Sequence, residues 1–205
     1  NPEGIESWED LVSGEVEIIT PNPATSGGAK WNIMAAYGSQ ISAGKSPDEA
    51  LDFVAEIISN TSVLDDSARD SLQTFANGKG DALIGYENEA IQAQAEGIEL
   101  EYVIPDETIL IENPAAVTTD AQDPETAKAF LDFIWSDEGQ QTFADYGYRP
   151  VNESVLARNK DAFPDVPGLF TIEELGGWEK VDEEMFDDES GKVTEILRNQ
   201  GAPLE

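Results

Sequence analysis

The chain carries neither cysteine nor histidine, and only 11 lysines and arginines against 43 aspartates and glutamates. Without cysteine there are no disulfides, no thiolate metal sites and no cysteine nucleophile. Without histidine the commonest general base and transition-metal ligand is missing too, which removes most hydrolase and zinc-enzyme chemistries. A net charge of −32 argues against binding nucleic acid, whose phosphates are gripped by Lys and Arg. No apolar run is long enough to cross a bilayer. The sequence opens at Asn1 with neither an initiator Met nor a signal peptide, so a soluble chain, processed or cut from something longer, is expected. What is present suffices for a core: 40% of the 205 residues are hydrophobic, enough for one domain or two small ones.

The most informative stretch is Thr20 to Trp31, Thr-Pro-Asn-Pro-Ala-Thr-Ser-Gly-Gly-Ala-Lys-Trp. The ladder Glu15-Val16-Glu17-Ile18-Ile19 puts Val16 and Ile18 on one face of a strand, which Pro21 and Pro23 are expected to stop. Ser26 is a good N-cap, and Trp31, Met34 and Ala35 repeat at helical spacing up to Gly38, the expected helix end. Gly27 and Gly28 then fall in the first helical turn, where backbone N–H groups lack intrahelical partners and the positive end of the helix dipole lies. An oxyanion fits there. A Ser-Gly-Gly turn alone is equally a tight connection that needs small residues. It is not a Walker loop, because Lys30 is followed by Trp31 rather than by a hydroxyl able to hold magnesium.

Strand and helix signals alternate along the next eighty residues. Ser46-Pro47-Asp48-Glu49 has capping-box spacing with Pro at the first helical position, and Leu51, Phe53, Val54, Ile57 and Ile58 line one face up to Asn60. Val63-Leu64 reads as a short strand, Ser67 to Ala76 as a helix closed by Asn77-Gly78, and Ala82 to Tyr86 as a buried strand feeding a helix at Glu87. Leu100 to Ile104 reads as another strand. Short connections between alternating elements are the signature of a parallel sheet covered on both faces. From Ile109 the pattern changes to two extended stretches, 109–111 and 115–118, then two helices opened by Asp123-Pro124 and by Ser136, with Gly147 as a left-handed terminator. Phe130, Leu131, Phe133, Ile134 and Trp135 are too apolar for an exposed helix and call for a partner.

These motifs resemble, in order, those of the periplasmic sulfate-binding protein family, the solute receptors of sulfate and thiosulfate ABC importers. The matching segments are Thr20-Pro21-Asn22-Pro23, Thr25 to Asn32, Ala68-Arg69, Gly80 to Ile84, Glu87-Asn88-Glu89-Ala90, Ser136 to Gln140, and Tyr148-Arg149-Pro150. Phe170-Thr171-Ile172 and Gly176-Gly177-Trp178 extend the likeness to about Trp178. The resemblance implies an α/β fold: a type II periplasmic-binding-protein-like lobe with a mainly parallel sheet flanked by helices, plus the C-terminal helical part of the other lobe. It divides the chain into a hinge or crossing segment at 1–12, an anion-binding lobe 2 at 13–108, and a return crossing with C-terminal elements of lobe 1 at 109–205. Family members place the anion between two lobes, and the N-terminal part of lobe 1 does not precede Asn1. The expected partners are sulfate or a similar oxyanion, an ABC permease in the membrane, and that missing lobe segment, supplied as a separate chain or by dimerisation. The expected location is periplasmic or extracellular, with a membrane anchor ahead of Asn1 as one form of it.

Carried over residue by residue, the resemblance implies that the Ser26 hydroxyl and the N–H groups of Gly27, Gly28 and Ala68 touch the oxyanion, with Tyr86 completing the set. Sulfate is a dianion with four acceptor oxygens and no proton to give, so its pocket needs donors only. Arg69 is expected to tie down neighbouring peptides rather than touch the anion, and Lys30 is as well read as a solvated first-turn side chain. Tyr86 departs from the family, which has Trp there. An indole N–H only donates, whereas a phenol donates and accepts, so a protonated oxyanion is better tolerated. Thiosulfate, molybdate and phosphate therefore stay open as ligands, and a phosphate-cradling enzyme is the contrasting class. Glu87 and Glu89, two apart on a helix, point to different faces and make a shared catalytic proton implausible. The clusters Asp182-Glu183-Glu184 and Asp187-Asp188-Glu189 lack calcium-loop spacing, and neither metal nor cofactor is expected. The acid excess points to a salt-adapted extracytoplasmic protein, since at roughly 1 M salt the Debye length is about 3 Å and surface carboxylates barely reach a pocket.

Overall fold

The structure, a computed structural model, describes residues 1–204. The chain divides into two compact units. The first comprises Asn1–Tyr86, Ile98–Ile111 and the described residues from Val166 on; the second comprises Glu87–Gly97 and Glu112–Asp165.

The first unit is built around β1 (Ile18–Pro21), whose four residues are all buried. Ile and Thr are good strand formers, and full burial fits a central parallel strand covered on both faces. The chain leaves β1 into α1 (Gly27–Ser42) and α2 (Pro47–Ser59), returns as β2 (Thr61–Asp65), and passes through α3 (Ala68–Ala76) to β3 (Ala82–Leu83). All three strands are parallel in the order β2-β1-β3, with Pro21 opposite Asp65 and Ile19 opposite Leu83. The chain thus goes first to one side of β1 and then crosses to the other. The strand order reverses beside β1, and the crevice at the carboxyl ends of β1 and β3 is where such sheets take ligands.

After β3 comes α4 (Glu87–Ala95), the first element of the second unit. A second, two-stranded parallel sheet joins β4 (Glu107–Ile109) to β5 (Gly168–Phe170) in the first unit. The second unit adds α5 (Pro124–Trp135), α6 (Asp137–Asp145) and α7 (Glu153–Arg158). Within it Arg149 clasps Glu87 through Nε and Nη2 at 2.6 and 2.9 Å, so Glu87 is committed to an ion pair. No residue of α5 is buried, and Phe130 and Trp135 are each 62% exposed.

Beyond β5 the first unit is completed by α8 (Gly177–Val181), a π-helical turn at Asp182–Phe186 and α9 (Lys192–Asn199). Val181, Met185, Phe186, Val193 and Leu197 join Ile18, Met34, Val54 and Ile57 in one core. The sequence division at 108/109 therefore differs from this partition. Residues from Val166 on pack with the first 86, because the apolar face of α9 lies on α2 and Trp178 meets Trp31 edge-on at 4.6 Å between ring centres.

The α/β layout is as expected, β1 ends at Pro21 where the sequence stops it, and two local expectations change. Gly38 does not terminate α1, which runs on to Ser42; a β-carbon there would collide with the Phe170 ring, so the glycine serves close packing. Residues 100–104 and 115–118 form no strand, and pairing occurs instead at β4 and β5. Alternating apolar residues suggest a strand, but a ladder also needs a neighbour, and Val103 is left 41% exposed. The Ser46 capping box on α2 and the left-handed Gly78 and Gly147 are where the sequence puts them.

Candidate functional site

The loops that lead from β1 into α1 and from β2 into α3 meet at one edge. Asn22 N–H donates to Asp65 O at 2.8 Å and Thr25 Oγ1 to Asp66 O at 3.3 Å, which ties the loop before α1 to the loop before α3. Ile84 N–H donates to Ile19 O at 3.0 Å and brings the end of β3 alongside. Asn32, buried inside α1, donates through Nδ2 to Thr20 Oγ1 at 3.1 Å and to Ile84 O at 2.9 Å, locking the first turns of α1 onto the ends of β1 and β3. These bonds tie the loops before α1 and α3 to the ends of the strands.

Ser26 occupies the N-cap position of α1 with an extended backbone, φ −118° and ψ 118°, yet its side chain makes no capping bond. The contrast is local: Ser46, Ser67, Asp123, Ser136 and Asn152 all accept a backbone N–H at their helix starts. Ser26 Oγ is therefore uncommitted beside the first-turn N–H groups of Gly27 and Gly28, which have no intrahelical acceptor. A β-carbon at Gly28 would stand 3.3 Å from Tyr86 Oη and 3.5 Å from Ser26 Oγ. Two hydroxyls thus converge over a glycine at the positive end of a 16-residue helix. Tyr86 Oη also lies 3.5 Å from Gly28 O.

Ala68 is the first residue of α3 on the same edge. Its neighbour Ser67 is occupied: Oγ caps Asp70 N–H and donates to Asp70 Oδ2 at 2.6 Å. With the Ser67 hydroxyl engaged, backbone N–H groups are the donors that the first turn of α3 offers. Arg69 behaves differently from its expected role, being exposed with no hydrogen bond or ion pair among the described residues. Lys30 is not a freely solvated side chain. Its Nζ pairs with Asp182 at 2.7 Å and lies 5.1 Å from the Phe186 ring centre. Of the two cations nearest the cradle in sequence, Lys30 is thus committed to Asp182.

Asn22 and Asn32 are the residues that sequence reading passed over. Both lie inside quoted motifs, but only their partners show them to be the fixings of the loop. Asn22 is 1% exposed, its carbonyl accepts Thr25 and Ser26 N–H, and its Oδ1 accepts Ala24 N–H at 3.0 Å.

Residues 1–149 match the family model described as bacterial extracellular solute-binding protein. The chain belongs to that family. Among curated relatives, it is 42% identical over 203 residues to a sulfate-binding protein of Synechocystis, an alignment covering 96% of this chain and 57% of that protein. It is 42% identical over 195 residues to a sulfate-binding protein of Escherichia coli K12, covering 91% and 59%. A thiosulfate-binding protein of the same organism is 38% identical over 190 residues, covering 88% and 56%. The chain therefore spans less than two thirds of the length of these relatives. Of solved structures, the sulfate-binding protein SubI from Mycobacterium tuberculosis superposes with a TM-score of 0.82 at 38% identity, over 91% of this chain and 65% of that one. The periplasmic binding protein AfuA from Actinobacillus pleuropneumoniae shares the fold, with a TM-score of 0.58 at 21% identity.

Proposed function

We propose that this chain supplies the lobe-2 face of a non-enzymatic, extracytoplasmic receptor that takes sulfate, or a related tetrahedral oxyanion, for an ABC permease. The observation that carries the reading is the uncommitted Ser26 hydroxyl, converging with Tyr86 Oη over Gly28 at the start of α1. Ser26 Oγ, the N–H groups of Gly27, Gly28 and Ala68, and Tyr86 Oη form a set of donors suited to a ligand that only accepts. Binding is by oriented dipoles, so no cationic side chain is required and the −32 net charge is felt only through screening. The relatives named for sulfate and thiosulfate binding support this ligand class. The family description supports a periplasmic or extracellular location.

The donors lie on one edge, and the facing part of the pocket belongs, in this reading, to the remaining length of the relatives. The exposed apolar residues of α5, where Phe133 is 47% and Phe130 and Trp135 are 62% exposed, call for a covering partner of their own. Alone, the chain exchanges ligand for solvent at small net gain, so its affinity for sulfate sits near 1 mM, about −4 kcal/mol. Enclosure between two lobes strengthens the same contacts by lowering the local dielectric.

The second reading, a receptor for thiosulfate or a protonated oxyanion such as hydrogen phosphate, is favoured by one residue. Tyr86 offers a lone pair that Trp lacks. Competition titrations with sulfate, thiosulfate, molybdate and phosphate at molar salt test the proposal, with sulfate expected to displace the others. Tighter binding of magnesium-nucleotide than of any of these anions would instead point to a phosphate-cradling enzyme.

A further inference from the structure

The loop that presents Ser26 is held by a residue whose remaining partner lies 181 positions away. Asn22 Nδ2 donates to Pro203 O at 2.8 Å, while its Oδ1 accepts Ala24 N–H at 3.0 Å and its backbone carbonyl accepts Ser26 N–H at 2.8 Å. One buried amide therefore joins the C-terminal strap to the turn that ends at the cradle. The strap itself is fixed at both ends. Gln200 Nε2 donates to Ala55 O at 2.8 Å, and Ala202 and Leu204 pack on the core. An open groove of about 490 Å³, lined by Ser59, Thr61, Ser62 and Gly201 among others, lies between the strap and β2, while Gly201 and Ala202 N–H donate back to Arg198 O and Leu197 O at 3.1 and 2.9 Å.

We propose that Asn22 is a positioning residue for the oxyanion loop and that Ala202–Leu204 is the strap that holds it in place. With the strap docked, Nδ2 is satisfied and the amide plane is fixed, so Oδ1 stays on Ala24 N–H and Ser26 is presented at one angle. Without it a buried donor loses its partner, and the amide can turn away from Ala24 to regain one. The consequence for anion binding rests on the function proposed above, whereas the coupling of strap to loop does not.

A two-by-two comparison tests this: Asn22 or Asn22→Asp, each with the full tail or with the chain ended after Ala202. Asp keeps an acceptor for Ala24 N–H but cannot donate to Pro203, and its carboxylate is set against the Pro203 carbonyl only in the full-tail form, so shortening the tail removes no bond from that variant. The readouts are amide hydrogen exchange at Ala24, Thr25 and Ser26, sulfate affinity by calorimetry at molar salt, and the thermal midpoint. Shortening the tail should raise exchange in the loop and weaken sulfate binding by about three- to tenfold when Asn22 is present, and do neither when Asp is present. The midpoint should fall in both backgrounds through lost Leu204 packing, and further with Asn22, whose bond to Pro203 is lost as well. Equal effects of shortening on loop exchange in both backgrounds, or none in either, would overturn the strap. Coupled exchange without sulfate binding in any form would leave the strap standing and reject the anion reading instead.

Discussion

Ser26 and Ser46 are both N-caps by position, yet only Ser46 caps. Its Oγ accepts Glu49 N–H while Glu49 Oε2 accepts Ser46 N–H at 2.8 Å, and α2 depends on that exchange. Replacing Ser46 with Ala should cost about 1 kcal/mol of stability. Replacing Ser26 with Ala should leave the thermal midpoint within error, since no capping bond is lost, and a fall as large as that of Ser46→Ala would show that Ser26 serves the helix rather than a ligand. Tyr86 bears on selectivity. Sulfate should outcompete hydrogen phosphate least in the native chain and more clearly in Tyr86→Trp, which removes the only phenolic acceptor from the donor set; identical ratios in competition titrations would place selectivity elsewhere. At this scale the sequence singled out Ser26, Gly27, Gly28 and Tyr86 as candidates through small residues and hydroxyls at strand-to-helix junctions, a local pattern that needs no distant partner to be seen. It was uninformative about Asn22 and Asn32, whose partners Pro203 and Ile84 are distant in the chain and leave no local spacing. The exposure of Arg69 and the Asp182 partner of Lys30 were not legible for the same reason, since both are tertiary facts.

Element by element, starts of helices were legible and ends of strands were not. Capping residues act within four positions, so α2, α3, α5 and α6 open where Ser46, Ser67, Asp123 and Ser136 indicate. Strand pairing is decided by a neighbour far along the chain, which is why 100–104 was read as a strand while β4 and β5, three residues each, were missed or misplaced. The capping carboxylates give a pH prediction. Glu49 is held below the ordinary carboxylate range by hydrogen bonds from the Ser46 backbone and hydroxyl, and Asp123 by the Thr126 N–H and hydroxyl. A depressed folded pKa means that the stabilisation is complete above the unfolded value, near 4, and is lost as pH falls through the folded one. Glu49→Gln preserves the capping-box geometry without titrating, so thermal midpoints measured from pH 6 to pH 3 should fall less steeply in Glu49→Gln than in the native chain. Parallel curves would mean that Glu49 contributes nothing to the acid limb.

For the whole molecule the dominant quantity is charge. Forty-three carboxylates face 11 cations, and ion pairs such as Arg158 with Asp137 or Lys160 with Asp165 are exposed and worth little. Self-repulsion should therefore weaken the fold at low ionic strength, where the Debye length is about 30 Å, and relax near 1 M, where it is about 3 Å. Thermal unfolding should show a midpoint that climbs with sodium or potassium chloride; a flat profile would detach the acidity from salt adaptation. Composition made this scale legible from the outset, together with the α/β layout and the apolar excess of α5. The placement of the C-terminal segment was not legible, because Val181, Met185, Phe186, Val193 and Leu197 mark a buried face without saying which surface it covers. The central claim is that a donor edge centred on Ser26 binds a tetrahedral oxyanion. Calorimetric titration of sulfate into the native chain and into Ser26→Ala, both at molar salt, tests it most directly. Millimolar binding by the native chain, weakened by about 1.5–3 kcal/mol in Ser26→Ala through loss of a hydrogen bond to a charged ligand, is the predicted result. Equal heats and affinities for the two proteins would contradict it.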